Sequence, residues 1–254
     1  MVFLHLLEQD RFTIIAHGNL QFWNPVSPDL MDRWIQDLPL SSSSRILDVG
    51  CGRGEFLLRT VERFECAAVG IDRLSPIVLE TQKEAARRLP LGNLEILCES
   101  FDPQTYDPAS FDLTACVGST HAISNLPDTL RVLSGLVRSG GTVLVGDGFW
   151  KRRPEPEYLD FLGTTEDELL THQGNLSLAR DLGLEVIREH QATKSEWSHY
   201  EDTYAANVRE FVAKNPEDPD AAAMDQKIEA WRNAYLKWGR DTLGFGLYLL
   251  RKTI

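Results

Sequence analysis

Residues 46–54 read Ile-Leu-Asp-Val-Gly-Cys-Gly-Arg-Gly, and this stretch decides the fold class. An apolar run ends at Asp48-Val49, and glycines then occupy the alternate positions 50, 52 and 54. Glycine lets a backbone turn tightly and approach a ligand that side chains would block. A helical pattern follows from Gly54 to Phe64, and the first N–H groups of a helix can bind a carboxylate or a phosphate. The stretch therefore predicts a strand, a ligand-binding loop and a helix.

Short apolar runs and helical patterns continue to alternate after this loop. The patterns predict strands at 45–49, 67–71, 94–98, 111–117, 142–145 and 245–250, and helices at 54–64, 76–89 and 126–138. Strands separated by helices indicate a mainly parallel sheet with helices on both faces, a doubly wound α/β fold. Ligands bind such sheets beyond the carboxyl ends of the strands. Those ends lie at 48–54, 72, 100, 118–121 and 147–150.

Two regions fall outside this alternation, residues 1–40 and residues 195–240. The second region holds two amphipathic patterns rich in Trp and Tyr, separated by the helix breaker Asn-Pro-Glu-Asp-Pro at 215–219. We expect a helical insertion at 195–240 that joins the N-terminal segment 1–40 in a helical cap. The whole chain, 1–254, is then expected to form a single domain.

Composition excludes several classes of protein. The 254 residues carry 26 basic and 38 acidic side chains, a net charge of −12, which disfavours nucleic-acid partners. No apolar run reaches the length of about 18 residues that a membrane span needs. The four cysteines are scattered without metal-ligand spacing, so we expect no metal, no disulfides and a cytoplasmic location. A monomer and a homodimer both remain open.

The charges around the loop bear on the cofactor. Position 55 is Glu where a dinucleotide-binding loop has its third glycine, and Asp48 precedes the glycines. Both carboxylates would repel a pyrophosphate, whereas Asp48 can pair with an amino group. Asp72, which follows the second strand, can accept both hydroxyls of a ribose. A nicotinamide-dependent oxidoreductase therefore fits less well than an enzyme of S-adenosylmethionine (SAM).

These features resemble the class I SAM-dependent methyltransferases. Residues 48–54 resemble their motif I and residues 70–72 their motif II. Residues 111–113 resemble the signature of strand four, and residues 139–141 resemble the turn before strand five. The resemblance covers residues 40–150 and implies a Rossmann-like sheet of seven mainly parallel strands with the last antiparallel.

The flanking segments are similar to a bacterial subgroup of small-molecule methyltransferases related to the ubiquinone and menaquinone type. The similar segments are Phe-Trp-Asn-Pro at 22–25, Gly-Asp-Gly-Phe-Trp at 146–150 and Trp-x-x-Tyr at 197–200. This subgroup implies a small-molecule substrate, with SAM as cofactor and S-adenosylhomocysteine (SAH) as product.

The resemblance also implies which residues contact the cofactor. They are the residues at the ends of strands one to four: Asp48, Gly50, Cys51, Gly52, Gly54, Asp72, Arg73, Ser100, Phe101, Val117 and Gly118. The family usually has Asp where this chain has Ser100, which can still accept a hydrogen bond from the adenine amino group.

The sequence indicates the residues that act on the methyl acceptor less clearly than those that contact the cofactor. His121 and Asp147 follow strands four and five, where either side chain could take a proton from the acceptor or simply hydrogen-bond the backbone. The aromatic residues Trp150, Trp197, Tyr200 and Tyr204 could line a substrate pocket or pack the helix pair onto the sheet. We expect direct displacement of the SAM methyl group by a small-molecule nucleophile. The alternative is a protein that binds SAM or SAH without transferring methyl groups.

Overall fold

The computed structural model describes residues 2–89 and 92–253, with side chains from Asp10 onward. The strands are β1 (Arg45–Val49), β2 (Ala67–Asp72), β3 (Leu94–Cys98), β4 (Phe111–Val117), β5 (Val137–Trp150), β6 (Leu184–Gln191) and β7 (Leu243–Lys252). The helices are α1 (Val2–His17), α2 (Pro28–Gln36), α3 (Glu55–Phe64), α4 (Ser75–Arg88), α5 (Leu126–Leu136), α6 (Pro156–Leu162), α7 (His172–Asp181), α8 (Lys194–Lys214) and α9 (Ala221–Ala234). A π-helical segment, Tyr235–Gly239, and the short helix α10 (Arg240–Thr242) connect α9 to β7.

The seven strands form one sheet in the order β3-β2-β1-β4-β5-β7-β6. All neighbours up to β5 pair in parallel, and β7 runs antiparallel to both β5 and β6. The chain winds outward from β1 to β3 and then returns to the other side of β1 with β4. This reversal opens a crevice between the carboxyl ends of β1 and β4, where ligands bind in such sheets.

The central strand β1 is apolar because both of its faces are covered. Ile46, Leu47 and Val49 have no solvent-exposed surface. Ile46 belongs to the core on the α2 and α3 side of the sheet, and Leu47 belongs to the core on the α5 and α7 side. A parallel strand buried on both faces needs a continuous apolar run rather than an alternating one.

The helix pair predicted for residues 195–240 is present as α8 and α9, and it packs against α1. Phe12 and Ala16 of α1 share a buried apolar cluster with Val208 of α8 and Ile228 of α9. A capping box formed by Thr193 and Glu196 starts α8, because each side chain accepts a backbone hydrogen bond from the other residue.

Strands β5 and β6 differ from the sequence-based expectation. The predicted strand 142–145 is only the central part of β5, which runs from 137 to 150. Glycines are typical of turns, so those within β5 made the strand look shorter than it is. Gly146 is nevertheless needed for packing, because a Cβ there would lie 2.8 Å from the Phe245 ring. β6 is an edge strand with alternating exposure, and the pattern of residues 184–191 did not reveal it.

Within the described ranges, no helix combines the length and the apolar character that a membrane crossing requires.

Candidate functional site

The glycine loop after β1 has a backbone that only glycine adopts without strain. Gly50, Gly52 and Gly54 all have positive φ angles, of 72°, 52° and 64°. At Gly50 a Cβ would also lie 2.3 Å from the Cβ of Ser119. A Cβ on Gly52 would meet nothing closer than the Trp23 ring at 3.8 Å. Gly50 is therefore needed for close packing, while Gly52 leaves open the space in front of the loop.

Hydrogen bonds to the end of β2 hold this loop in place. The backbone N–H groups of Gly50 and Cys51 both donate to the Ile71 carbonyl, over 2.8 and 3.0 Å. The Gly52 N–H donates to the carboxylate of Asp72 over 2.9 Å. The other carboxylate oxygen of Asp72 accepts from the Leu74 N–H, also over 2.9 Å. Since a carboxylate offers about four lone-pair sites, Asp72 keeps acceptor capacity for a ligand.

A cavity of about 620 Å³ lies in front of this loop, and we call it the glycine-loop cavity. Most of the predicted cofactor residues line it: Asp48, Gly50, Cys51, Gly52, Asp72, Arg73, Ser100, Phe101, Val117 and Gly118. Gly54 is not among the lining residues, because it lies behind the loop, where a Cβ would be 2.6 Å from the Thr81 methyl group. Residues from the ends of four parallel strands are thus brought to one cavity.

Asp48 is the most perturbed acid of this cavity. Its side chain is 95% buried because β1 lies at the centre of the sheet. Burial, and then the nearby charge of Asp72, raise the pKa of Asp48 to about 7. A positive charge placed beside Asp48 would reverse both effects. The same surroundings raise the pKa of the Cys51 thiol well above its ordinary value, which suits a packing residue rather than a nucleophile.

The N-terminal segment, which the sequence predicted as part of a helical cap, lines this cavity as well. Asp10 and His17 of α1 line it, together with Trp23 and Asn24 of the following loop. Asp10 accepts two hydrogen bonds from Arg73, of 2.9 and 2.6 Å. The His17 ring stacks on Trp23 with ring centroids 4.3 Å apart. The Phe-Trp-Asn-Pro tract was a signal for this wall, but nothing in it pointed to the glycine loop.

A second cavity, of about 200 Å³, adjoins the first, and we call it the aromatic cavity. Trp23, Asn24 and Gly118 line both cavities. The rest of the aromatic cavity's lining comes mainly from α6, α8, α9, the π-helical segment and β7, including Tyr158, Phe161, Trp197, Tyr200, Glu201, Trp231, Tyr235 and Phe245. Glu201 and Trp231 were not predicted, because each is one of many similar residues on an amphipathic helix.

The two predicted acid–base residues lie in different places. His121 is exposed and lines the glycine-loop cavity beside Gly118. Asp147 lines neither cavity; it accepts a hydrogen bond from the Gly148 N–H over 2.8 Å and another from the Thr120 hydroxyl. Burial raises the pKa of Asp147 to about 6.

Two of the four predicted aromatic residues line the aromatic cavity, and the other two pack elsewhere. Trp197 and Tyr200 line the aromatic cavity. Trp150 is buried and donates its indole N–H to the Glu166 carbonyl over 2.8 Å, and Tyr204 packs on Phe12 and His17. Neither Trp150 nor Tyr204 is among the residues that line the two cavities.

In the part of the chain that the structure describes, no three His, Cys, Asp or Glu side chains are grouped as a metal ion would need.

Comparison with known proteins assigns this geometry to a family. A model of a methyltransferase domain matches residues 40–202, which span β1 to β6 and the first part of α8. The chain belongs to this methyltransferase family. The prediction of a class I SAM-dependent methyltransferase, an enzyme with SAM as its methyl donor, is thereby confirmed at the level of family and fold.

Relatives of this methyltransferase agree with the assignment. The uncharacterized protein YjhP of Escherichia coli K12 is 24% identical over 243 residues, 94% of this chain and 97% of YjhP. A ubiquinone biosynthesis O-methyltransferase of Albidiferax ferrireducens is 29% identical over 144 residues, 54% of this chain and 56% of that protein. The predicted similarity to the ubiquinone type is therefore partial.

A solved structure has the same fold. The SAM-dependent methyltransferase of Geobacter sulfurreducens, crystallised with SAH, superposes with a TM-score of 0.86 at 22% identity. The superposition covers 95% of this chain and 98% of that one. The predicted Rossmann-like sheet of seven strands, with the last antiparallel, is confirmed.

Proposed function

We propose that this enzyme holds SAM in the glycine-loop cavity and transfers its methyl group to a small molecule bound in the aromatic cavity. The observation that carries the proposal is the convergence of Asp48, the glycine loop and Asp72 on one cavity of about 620 Å³. The residues 1–40 and 195–240 then act as a cap over both ligands, within a single methyltransferase domain.

The chemical groups of the cavity match those of SAM. Asp48 is a buried carboxyl with a raised pKa, and the SAM ammonium would return it to its charged form. Asp72 has lone pairs left for the ribose hydroxyls. Helix α3 begins at Glu55 without a side-chain cap, so N–H groups of its first turn remain for the SAM carboxylate. Ser100 and Phe101 border the space left for the adenine.

The same cavity disfavours a dinucleotide. Five carboxylates line it, those of Asp10, Asp48, Glu55, Asp72 and Glu99, together with the two arginines Arg53 and Arg73. Arg73 is paired with Asp10, and Arg53 lies 3.4 Å from Glu80. Glu55 is paired with Arg59 and Arg88. A pyrophosphate would therefore meet the carboxylates of Asp48, Asp72 and Glu99. This arrangement supports SAM over a nicotinamide cofactor.

Catalysis requires little more than positioning. SAM supplies an activated methyl group, so direct displacement by the acceptor proceeds without further activation of the donor. Gly118 and Trp23 border both cavities, and we propose that the acceptor reaches the methyl group between them. His121 beside Gly118 is the candidate to take the acceptor's proton. Asp147 would act only indirectly, since it lines neither cavity.

Several features support a small-molecule acceptor. The net charge of −12 opposes the approach of a nucleic acid. The aromatic cavity, at about 200 Å³, suits a small organic compound rather than a polymer. The relative named a ubiquinone biosynthesis O-methyltransferase also supports a small-molecule acceptor, although it matches only about half of this chain.

The cysteines support a reducing compartment such as the cytoplasm, because all four are free: Cys51, Cys66, Cys98 and Cys116.

Calorimetric titration of the purified protein with SAM, SAH and NAD tests the cofactor assignment. We expect micromolar binding of SAM and SAH and none of NAD. Asp72→Ala should abolish binding, while Asp72→Asn, which keeps one acceptor oxygen for the loop, should weaken it less. Asp107→Ala, an exposed acid away from the cavity, is the matched control.

The titration has two contrary outcomes. Binding of NAD alone, or of none of the three ligands, would contradict the proposal. Binding of SAM with no methylated product across a broad panel of acceptors would instead favour a sensor or partner subunit that does not transfer methyl groups.

A further inference from the structure

The aromatic cavity contains one buried acid that the proposed methyl transfer does not use. Glu201 of α8 is 3% exposed and is the single carboxyl among the residues lining this cavity. No lysine or arginine is among those lining residues. The rest of the lining is mainly aromatic, with indole or phenol rings from Trp23, Trp197 and Trp231 and from three tyrosines.

The contacts of Glu201 satisfy it only in part. One carboxylate oxygen accepts a hydrogen bond of 2.8 Å from the indole N–H of Trp231, and the Trp197 indole also stabilises the ionised carboxylate. The positive charge of Arg232 on α9 acts on Glu201, but that guanidinium pairs with Asp202 and lies over the Tyr235 ring. Burial outweighs these contacts and raises the pKa of Glu201 to about 7. The buried carboxylate therefore lacks a dedicated positive partner.

The chemistry of this cavity favours a cation over other ligands. Aromatic ring faces attract an ammonium group by cation–π interaction, more strongly when the site is desolvated. A buried carboxylate gains most from a positive partner that removes its uncompensated charge. An anionic ligand would meet Glu201 with no basic residue to offset the repulsion. A neutral apolar ligand would leave Glu201 buried without a positive partner.

We propose that the methyl acceptor carries an ammonium group, which binds in the aromatic cavity against Glu201, with an apolar body between the rings. This inference rests on the proposed function, because it takes the cavity beside the glycine-loop cavity as the acceptor site. Glu201 acts as a specificity residue that selects amines over neutral compounds of the same shape. The shared residues Gly118 and Trp23 connect this ammonium site to the site of the donor.

A matched pair of probes tests the selectivity without turnover. The ligands are 2-phenylethylammonium and its neutral counterpart 2-phenylethanol, titrated at pH 8 into protein saturated with SAH. Tryptophan fluorescence reports binding, since three indoles line the cavity. We expect the ammonium to bind at least about tenfold more tightly than the alcohol.

Two variants assign this preference to its residue. Glu201→Gln keeps an acceptor for the Trp231 N–H and removes the charge, so the preference should fall to less than about threefold. Glu210→Gln, on the exposed side of the same helix, should keep it. SAH binding measured by calorimetry should be the same in all three proteins, which shows that the variants are folded.

The outcomes separate this inference from the proposed function. Equal affinity for the two probes in the wild type, failure of both to bind, or a preference that survives in Glu201→Gln overturns the ammonium site. Failure of the wild type to bind SAH contradicts the proposed function and, with it, the acceptor role of the cavity.

Discussion

Asp48, the penultimate residue of β1, and Asp72, the last residue of the neighbouring parallel strand β2, line one cavity, and the charge of Asp72 adds to burial in raising the pKa of Asp48. The pair therefore forms a site of high negative potential that is only partly charged near neutral pH. A ligand with an ammonium group would bind the ionised form of Asp48 and stabilise it. This relationship leads directly to two predictions.

The affinity for SAM should rise with pH through the titration of Asp48. Below a pKa of about 7 the carboxyl is protonated and cannot pair with the SAM ammonium. We expect Kd to fall as the pH rises from 5 to 7, by up to about tenfold per pH unit, and to level off above 7. Calorimetry in buffers of different ionisation enthalpy should also detect release of a proton at pH 6.

Two variants separate this effect from other titrations. Asp48→Asn should bind SAM weakly with little dependence on pH. Glu201→Gln, which removes another carboxyl with a pKa of about 7, should keep the pH dependence of SAM binding. A pH dependence that persists in Asp48→Asn would assign it to a different group.

The stability of the ligand-free protein should fall as the pH rises from about 4 to 7. Folding raises the pKa of Asp48 from 3.8 to about 7, so the folded protein holds this proton more tightly than the unfolded chain. Each unit of this shift corresponds to about 1.4 kcal/mol, and the loss is complete above pH 7. Urea denaturation at pH 5 and pH 8 measures it.

Asp48→Asn should remove that part of the pH dependence. The variant should lose less stability than the wild type between pH 5 and pH 8, whatever its absolute stability. An identical loss in the two proteins would show that Asp48 does not carry the raised pKa.

Replacement of Gly50 should damage the loop more than replacement of another glycine with the same backbone conformation. Gly50→Ala incurs the strain of a φ of 72° and also places a Cβ 2.3 Å from the Ser119 Cβ. We expect a loss of SAM binding and destabilisation by more than the roughly 1–2 kcal/mol that the conformation alone costs.

Gly183 provides the matched control. It has a φ of 75°, and a Cβ there would meet no atom within 4 Å. Gly183→Ala should therefore show the conformational cost alone and normal SAM binding. Equal destabilisation by the two substitutions, measured by urea denaturation, would contradict the role assigned to the contact with Ser119.

His121 should matter for turnover and not for the binding of SAM. It lines the glycine-loop cavity, as does Gly118, which also lines the aromatic cavity, so loss of a general base there should lower kcat by about 10²- to 10⁴-fold. Formation of SAH with an amine acceptor measures kcat for His121→Gln, and calorimetry checks that Kd for SAM is unchanged.

Asp147→Asn is the comparison for His121→Gln. Asp147 lines neither cavity, so its replacement should reduce kcat far less. If the double variant turned over as fast as the wild type, neither residue would take part in proton transfer.

The sheet could be predicted wherever local patterns are strong. β1, β3 and β4 have the predicted bounds, and β2 agrees to within one residue, because buried parallel strands are short apolar runs between turns. β5 was predicted too short, since Gly146 and Gly148 look like turn residues and are explained only by the packing of Phe245 and Leu169 against them. β6 alternates weakly and lies at an edge, so its pattern carries little signal.

In the candidate site too, some residues could be predicted from local sequence and others could not. The glycine loop and Asp72 could be predicted because their roles depend on backbone geometry and on chain order, both of which are local. Trp197 and Tyr200 were named for their aromatic character, whereas the neighbouring Glu201 looked like any helical acid. Its contact with Trp231 depends on α9, which is distant along the chain.

The sequence by itself determined the class I fold, the loop for the cofactor and the methyltransferase family, because strand–turn–helix patterns reflect forces between residues close in the chain. Only the contacts of the tertiary structure bring Asp10, His17 and Trp23 to the cavity of the glycine loop, and burial in that structure raises the pKa of Asp48 to about 7. It also separated His121 from Asp147 and enclosed Glu201 among aromatic rings. Periodicity tells which face of an element is buried, but the partner that buries it, and hence the local charge and solvation, is set by contacts between distant segments.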